Sequence, residues 1–475
     1  MNLVEQLQKD TNCASDIIIR EITIGKHNIT LVYNEVLTSG SNINDFILKN
    51  LAFLIDEKVD ISSIYSFLYN SLPAHNIKEI KDYNDFLQKL FNGFVCLVYE
   101  EKAFCMELRA SLDSGISNAE KEIALRGPKD AFCESFNKNL GLRRRRIKSE
   151  KLWIKDMEIG TLSKTKVGIL YMENIADQNL VRNVEKKLQN IDIDGILDSG
   201  YIKNLIEKNS KLFPTIMTTE RPDLTAMALL EGKVVILVDT SPYALILPSF
   251  FLDFFHTPDD YYQKNFNISF IRIIRLLAFF VSIFLPAYYI SITTYNHDSI
   301  SLDLLLNFIS QRQDVAFPAL VEALLMTISF EILRESDTRM ASTVGSAVSI
   351  LGGLILGDAL VSAGIISPIM IIVVATSAIS GFVFTSIEMS NAIRFYRIFL
   401  MILASILGIF GIYIGFLVLI THLASLDTCG FPYLSPLSPF LPKEQKDAIL
   451  RIKTKKKKLR NPLLAKKNIV RGKES

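Results

Sequence analysis

The back half of the chain runs in long apolar stretches broken by short charged ones, whereas residues up to about Lys233 mix charged and apolar positions as a globular protein does. Between Met340 and Ile387 a single formal charge, Asp358, interrupts 48 residues, and the uncharged stretches Leu276–His297 and Ile398–Leu426 flank it. A bilayer core of roughly 30 Å takes about 20 apolar helical residues per crossing. The pattern therefore predicts spans at Ile271–Ser291, Thr343–Leu360, Ile365–Phe384 and Phe395–Leu423. Either Ala316–Leu333, which carries Glu322 and Glu331, or the apolar patch Tyr243–Phe255 is expected to enter the membrane without simply crossing it. Periodicity leaves that choice open.

In the front half, NITLVYNEVLTSGSNINDFILKNL (Asn28–Leu51) reads as a strand followed by a helix, and KVGILYMENIADQNLVRNVEKKL (Lys166–Leu188) repeats that shape. GFVCLVYEEKAFCMEL (Gly93–Leu108) and GKVVILVDTSPYALIL (Gly232–Leu247) each read as strand, polar turn and strand, at a similar distance downstream. The expected fold is thus an α/β cytoplasmic region of two tandem related subdomains, residues 15–125 and 150–248, with a basic connector at 126–149. A polytopic α-helical membrane domain follows at 249–426, then a basic cytoplasmic tail at 427–475.

Charge and cysteine usage refine this picture. Lys443–Lys473 holds thirteen Lys and Arg against Glu444 and Asp447, and Arg143–Arg146 is a second basic cluster. Both read as positive-inside flanks and anionic-lipid contacts, with no nucleic-acid partner. The N-terminus has acidic residues and no apolar core of a signal, so the front half is expected to stay in the cytoplasm. Cys13, Cys96, Cys105, Cys133 and Cys429 follow no metal or redox spacing and read as reduced and structural. There is no GxxxxGK[ST], GxGxxG, HExxH or GxSxG, and the five histidines are far apart, so no enzyme, cofactor or metal site is expected.

Several residues of the membrane half invite a role. Gly345, Ser349, Gly353 and Gly357 fall on one helical stripe, fit for close helix packing or for lining a narrow pore. Asp358 marks either the water interface or a selectivity position. Glu322 and Glu331 lie nine residues apart, about 180° around a helix. One is expected to pair with Arg334, Arg339, Arg394 or Arg397 and the other to face a cavity, because an ionised carboxylate is costly in hydrocarbon. Arg272 and Arg275 lie on one face where the first span begins and are expected to anchor the span or to pair with Asp259 or Asp260. Glu220, Arg221 and Asp223, with Pro222 fixing a turn between helices, read as a structural or subunit-contact clamp. Both groups are candidates for coupling the front half to the membrane.

Longer strings narrow the reading. RGPKDAFCESFNKNLGLRRRRIKSEKL (Arg126–Leu152), TTERPD (Thr218–Asp223), DDYY (Asp259–Tyr262), the Arg272/Arg275 pair with PAYYIS (Pro286–Ser291), and FPALVEALLMTISFEILRE (Phe317–Glu335) resemble the A subunit of GerA-type nutrient germinant receptors of spore-forming bacteria. The resemblance spans roughly Ile17 to Lys443. One departure is Arg339-Met340-Ala341, where the family usually has Leu-Pro after the arginine. The resemblance implies a multi-pass subunit of the spore inner membrane, working with a transporter-like B subunit and a lipoprotein C subunit. It also implies a homo-oligomeric ring, a pentamer, acting as a nutrient-gated cation channel. A secondary transporter and a non-conducting scaffold are the alternatives, although no repeat of membrane halves is visible in Leu276–Leu426.

Overall fold

The computed structural model describes residues 3–12, 14–24, 27–56, 77–99, 102–110, 119, 122, 126–207, 212–339, 353, 357–440, 445–451 and 458–471. They form two compact units. An α/β unit comprises residues 1–208, 216–249 and 453–475, and a helical unit comprises 209–215 and 250–452.

The α/β unit holds two copies of one plan. In the first, α1 (Leu3–Thr11) precedes β1 (Ile17–Ile24) and β2 (His27–Asn34). A helical stretch α2 follows, built of Gly40–Ile43, a π turn Asn44–Leu48 and Lys49–Asp56; then come β3 (Ile77–Glu79), α3 (Tyr83–Leu90), β4 (Phe94–Tyr99) and β5 (Lys102–Glu107). In the second, α4 (Phe136–Arg146) precedes β6 (Leu152–Ile159) and β7 (Thr165–Met172), followed by α5 (Gln178–Gln189), α6 (Ser199–Ile206), β8 (Met217–Thr219), α7 (Pro222–Leu230), β9 (Val234–Val238) and β10 (Ala244–Leu247). The sheet orders are β1-β2-β4-β5-β3 and β6-β7-β9-β10-β8, the same order twice, and every pairing is antiparallel.

The same spacing separates His27 from Thr165 and Gly40 from Gln178, so the strand-helix stretches matched in sequence are β2 with α2 and β7 with α5. Each copy turns from the helix that follows its edge strand, α3 or α7, into the next strand through a glycine at positive φ, Gly93 (+83°) and Gly232 (+92°), where a side chain is strained. The central strands β9 and β10 are wholly buried and read as continuous Val, Ile, Leu and Ala, as a strand covered on both faces requires. Cys96 and Cys105 are buried opposite each other on β4 and β5 as free thiols; burial pushes both pKa values up.

Three expectations change here. Residues 126–149 are not a bare connector, because 136–146 form the leading helix α4 of the second copy, just as α1 leads the first. The patch Tyr243–Phe255 is not one apolar segment: its first half contains β10, of the α/β unit, and its second is a 3-10 turn, Phe251–Phe255, of the helical unit, whose rings pack on one another and on Phe279. The span 427–475 is not one tail. Residues 427–440 belong to the helical unit, with β11 (Asp427–Thr428), β12 (Phe431–Pro432) and a fully buried Tyr433. Residues 458–471 fold onto the α/β unit, where Leu464 and Ala465 are 1% and 0% exposed.

The helical unit begins with α8 (Asn265–Thr294), 30 residues and about 45 Å long. It continues through α9 (Leu302–Arg312), α10 (Ala319–Arg339), α11 (Pro368–Gly381), α12 (Ile387–Leu407), α13 (Ile409–Ser425) and the short α14 (Gln445–Ala448). By length and composition, α8 and α12 are long and apolar enough to cross a membrane; α11 and α13 are shorter apolar helices. Their directions follow from contacts. Phe384, before α12, packs edge to face on Phe255, before α8, and Ile409 N–H donates to Asn296 Oδ1 beyond the end of α8 (3.1 Å), so α8 and α12 run parallel. Ser377 of α11 donates to the Ser282 carbonyl (2.7 Å), and α11 runs back from Ser367 toward Phe384.

The stretch Phe395–Leu423, read from sequence as one span, is a hairpin. Gly408 takes φ +61° and breaks it, and Gly411 and Gly415 let α13 fold back on α12. A Cβ on Gly411 would overlap the backbone of Leu403, and one on Gly415 the side chain of Leu400. Here, among the described residues, small side chains admit a close helix approach. Twenty-nine residues in one helix would also span about 44 Å, well beyond a hydrocarbon core.

Candidate functional site

Four constellations of buried charge stand out, and they contain most of the residues singled out in the sequence. The first sits where β8 meets α7, between a strand and a helix rather than between helices. Pro222 occupies the first turn of α7, where its fixed φ suits the helix start. Arg221, 1% exposed, grips Asp223 with two hydrogen bonds (Nε to Oδ1 3.1 Å, Nη2 to Oδ2 2.8 Å). Its remaining donors reach the carbonyls of Glu122 (3.1 Å) and Pro128 (3.0 Å). Glu220 accepts from the Glu122 N–H (2.7 Å), and Thr219 Oγ1 donates to the Glu122 carboxylate (2.5 Å). The ERPD turn thus clamps the strand of chain that links the two sheets. Burial, with Glu220 alongside, pushes the Glu122 carboxyl up to about 7 against the pull of Thr219 and Arg221.

The arginine run at the end of α4 forms the second constellation. Arg144 is fully buried and doubly bonded to the fully buried Asp16 (2.7 and 3.1 Å), which also accepts from Asn34 (2.6 Å). Arg146 grips Asp130 with two bonds (2.6 and 2.7 Å). Arg143 donates to the Pro222 carbonyl and lies over the Phe132 ring (4.8 Å); burial and then Arg146 push its pKa well down. Of a run that reads as a topology signal, Arg143 and Arg144 are therefore internal, Arg146 is part-buried and Arg145 exposed, and Arg144 joins the copies. The physical reason is range: Asp16 lies 128 positions from Arg144, beyond any local pattern.

A third constellation sits at the start of α8. Asp260, fully buried, accepts from Arg272 Nε (2.8 Å) and Arg275 Nη1 (2.9 Å), and Asp259 is not the partner of either in these bonds. Arg272 also reaches the Asp447 carbonyl (2.7 Å), and Arg275 the Phe255 carbonyl (2.9 Å) and Thr257 Oγ1 (2.9 Å). Ser269 Oγ accepts from the Arg451 N–H (3.0 Å), while His256 Nε2 donates to the Ala448 carbonyl (2.7 Å). Burial raises the Asp260 carboxyl, but Arg275 and Arg272 outweigh it and hold it below the usual range. Burial and Arg272 push His256 down to about 4, which keeps it neutral. The segment entering α8 and the segment 445–451 are thereby stapled to each other.

The fourth lies among the apolar helices. Glu322, 0% exposed, accepts from Arg312 (3.1 Å) and from Ser367 through both its N–H (3.0 Å) and its hydroxyl (2.9 Å). Glu331 is held by Arg334 (2.9 Å), Arg394 (2.9 Å) and Arg397 (3.4 Å). Both carboxylates are thus neutralised. Arg312 is the partner that sequence reading missed; its place just before Pro318 and α10 is the only local cue.

Gly345 and Ser349 lie outside the described residues. Among the described residues, a Cβ built at Gly353 or Gly357 meets nothing within 4 Å, and Asp358 is exposed. Among the described residues, no group of three or more His, Cys, Asp and Glu is placed to hold a metal ion.

Comparison with known proteins places this arrangement. A family model described as Bacillus/Clostridium GerA spore germination protein matches residues 5–463. The chain is 37% identical over 456 residues to Spore germination protein KA of Bacillus subtilis, covering 94% of this chain and 84% of that one. It is 35% identical over 456 residues to Spore germination protein GerQA of Bacillus cereus (95% and 89%), and 34% identical over 452 residues to the uncharacterized membrane protein YfkQ of Bacillus subtilis (94% and 88%). A crystal structure of the N-terminal domain of the A subunit of the Bacillus megaterium spore germinant receptor GerK3 is 33% identical, covers 52% of this chain and 94% of that one, and aligns with a TM-score of 0.41.

Proposed function

The chain belongs to the GerA spore germination protein family, and on that premise we propose that it is the A subunit of a nutrient germinant receptor in the spore inner membrane. The observation that carries this reading is the family match along nearly the whole chain, α/β unit and helical unit together. In this reading the α/β unit is cytoplasmic, the helical unit crosses the membrane several times, and the subunit works with a transporter-like B subunit and a lipoprotein C subunit. An oligomer of it, a pentamer, forms a nutrient-gated cation channel. One feature supports conduction: among the described residues, open space lies beside Gly353 and Gly357, where a pore-facing stripe needs it; the two carboxylates neutralised by arginines support the placement of these helices in an apolar surround. The ERPD turn and the Asp260 staple are the elements through which the α/β unit acts on the helices.

Potassium release from purified spores after nutrient addition tests this. Deletion of the chain should abolish release triggered through this receptor, and Gly353→Leu, assembled at normal abundance, should block release or make it constitutive. Unchanged release from the Gly353→Leu spores refutes the conduit and leaves a scaffold; unchanged release from the deletion strain refutes the receptor assignment itself.

A further inference from the structure

The residues after Arg451 form the most basic stretch of the chain, and part of it has a partner within the α/β unit. Residues 458–471 fold as a small loop closed on itself: Arg471 N–H donates to the Lys458 carbonyl (2.8 Å), Arg460 N–H to the Ile469 carbonyl (2.7 Å), and Leu464 and Ala465 N–H both to the Asn461 carbonyl. Arg460 fills its centre, bonded to the Val470 and Asn468 carbonyls, and extends Nε to the Leu230 carbonyl (3.0 Å) at the end of α7. Leu464 is buried beside Gly232, whose Cα hydrogens leave room for the Leu464 carbonyl; a Cβ there would lie 3.3 Å from it. Ala465 joins the same apolar cluster as Ile175. Around this contact Lys466 meets Asp177 (2.5 Å), Lys467 meets Glu173 (3.1 Å), and Arg471 meets Glu231.

The equivalent face of the first copy is held at the corresponding positions by a different basic segment. There Arg144 lies over Phe91 (4.9 Å) and Lys148 donates to Asn92, immediately before Gly93, as Arg460 and Arg471 hold Leu230 and Glu231 before Gly232. Val36 and Leu37 of the first copy enter the shared core, as Ile175 does in the second. The grips differ in one respect. Arg144 and Asp16 are sealed from water, whereas Lys466 and Lys467 are 59% and 51% exposed. Exposed pairs of this kind are weak and screened by salt.

We propose that the second copy carries a docking site for a basic peptide, walled by Ile175 and Gly232 and rimmed by Glu173, Asp177 and Glu231, and that residues 458–471 are its releasable occupant in the same chain. Since the chain leaves the α/β unit after Ser249 and returns to it only with this segment, the site is a clasp on the segment that follows the last helices.

The test uses the chain truncated after residue 457, in detergent, and a labelled peptide of residues 458–471. Saturable binding is expected, lost when the peptide carries Leu464→Asp and weakened at least about tenfold by Glu231→Lys or by raising salt from about 0.1 to about 0.5 M. Absence of binding by truncated chain whose Trp153 emission matches that of intact chain overturns the proposal, as does peptide binding to anionic phospholipid vesicles in preference to the chain. If truncation alters Trp153 emission, hydrogen exchange on intact chain decides. The amides of Arg460, Leu464, Ala465 and Arg471 should be protected at low salt and exposed by Glu231→Lys; rapid exchange at low salt, or protection indifferent to both changes, overturns the site.

Discussion

The two α/β copies share a strand order but spend charge differently at equivalent places. In both, the edge strand runs into a helix, β3 into α3 and β8 into α7. The first copy starts its helix at the surface: Asp82 caps Asp85 N–H (2.7 Å), and Asp85 pairs with Lys89 one turn on. The second starts with a buried arginine, Arg221, locked to Asp223 and to the chain that links the sheets. One plan thus serves two ends. A helix start solvated by a cap stabilises only its own helix, whereas a buried, fully bonded ion pair fixes whatever donates and accepts around it.

The largest test of this contrast replaces those starts. Arg221→Ala should cost about 3–5 kcal/mol, because the buried Asp223 loses the partner that grips both its oxygens, while Asp82→Ala should cost about 1 kcal/mol. Urea unfolding of the full chain in detergent, followed through Trp153, reads both, since this single tryptophan lies on β6 of the second copy and bonds the Asp10 carbonyl of the first (3.2 Å). Equal losses would break the comparison. Next come the paired glycines. Gly93→Ala and Gly232→Ala each carry about 1–2 kcal/mol of left-handed strain, and Gly93→Ala should cost more, as its Cβ would meet the Leu37 carbonyl at 2.8 Å.

A pH dependence sharpens the contrast at the linking chain. The folded pKa of Glu122, about 7, lies above its ordinary value of 4.5, so its contribution is full below 4.5 and is lost as pH rises through about 7. Exchange of the Glu122 amide should therefore accelerate more steeply with pH than the intrinsic rate does as pH climbs through neutrality, and Glu122→Gln should abolish that excess slope. The smallest effect is expected at Lys89→Ala, under about 1 kcal/mol, because its pair with Asp85 is partly solvated.

What the sequence made legible follows from range. The β2–α2 and β7–α5 stretches and the two strand-turn-strand units are patterns within about 25 residues, and each appears in the sheets. Arg143–Arg146 looked like a solvated run because its partners, Asp16, Asp130 and the Pro222 carbonyl, come from elsewhere in the chain. The same holds for Glu322, whose seal comes from Ser367 as well as nearby Arg312. Hydropathy marked 395–423 as apolar but was blind to Gly408, since a hairpin inside an apolar run changes backbone dihedrals and leaves composition untouched. The Gly411 and Gly415 contacts carry a signal, small residues four apart, of the same kind as the Gly353 and Gly357 stripe.

The return of residues 458–471 to Gly232 also sets an order of events during synthesis. At about 5–20 residues per second, a ribosome needs some tens of seconds after making Gly232 to supply the segment that covers it. The second copy therefore waits with its Gly232 and Glu231 face incomplete while the helices of the other unit are made, and its surface is completed only on chains that have been translated past them.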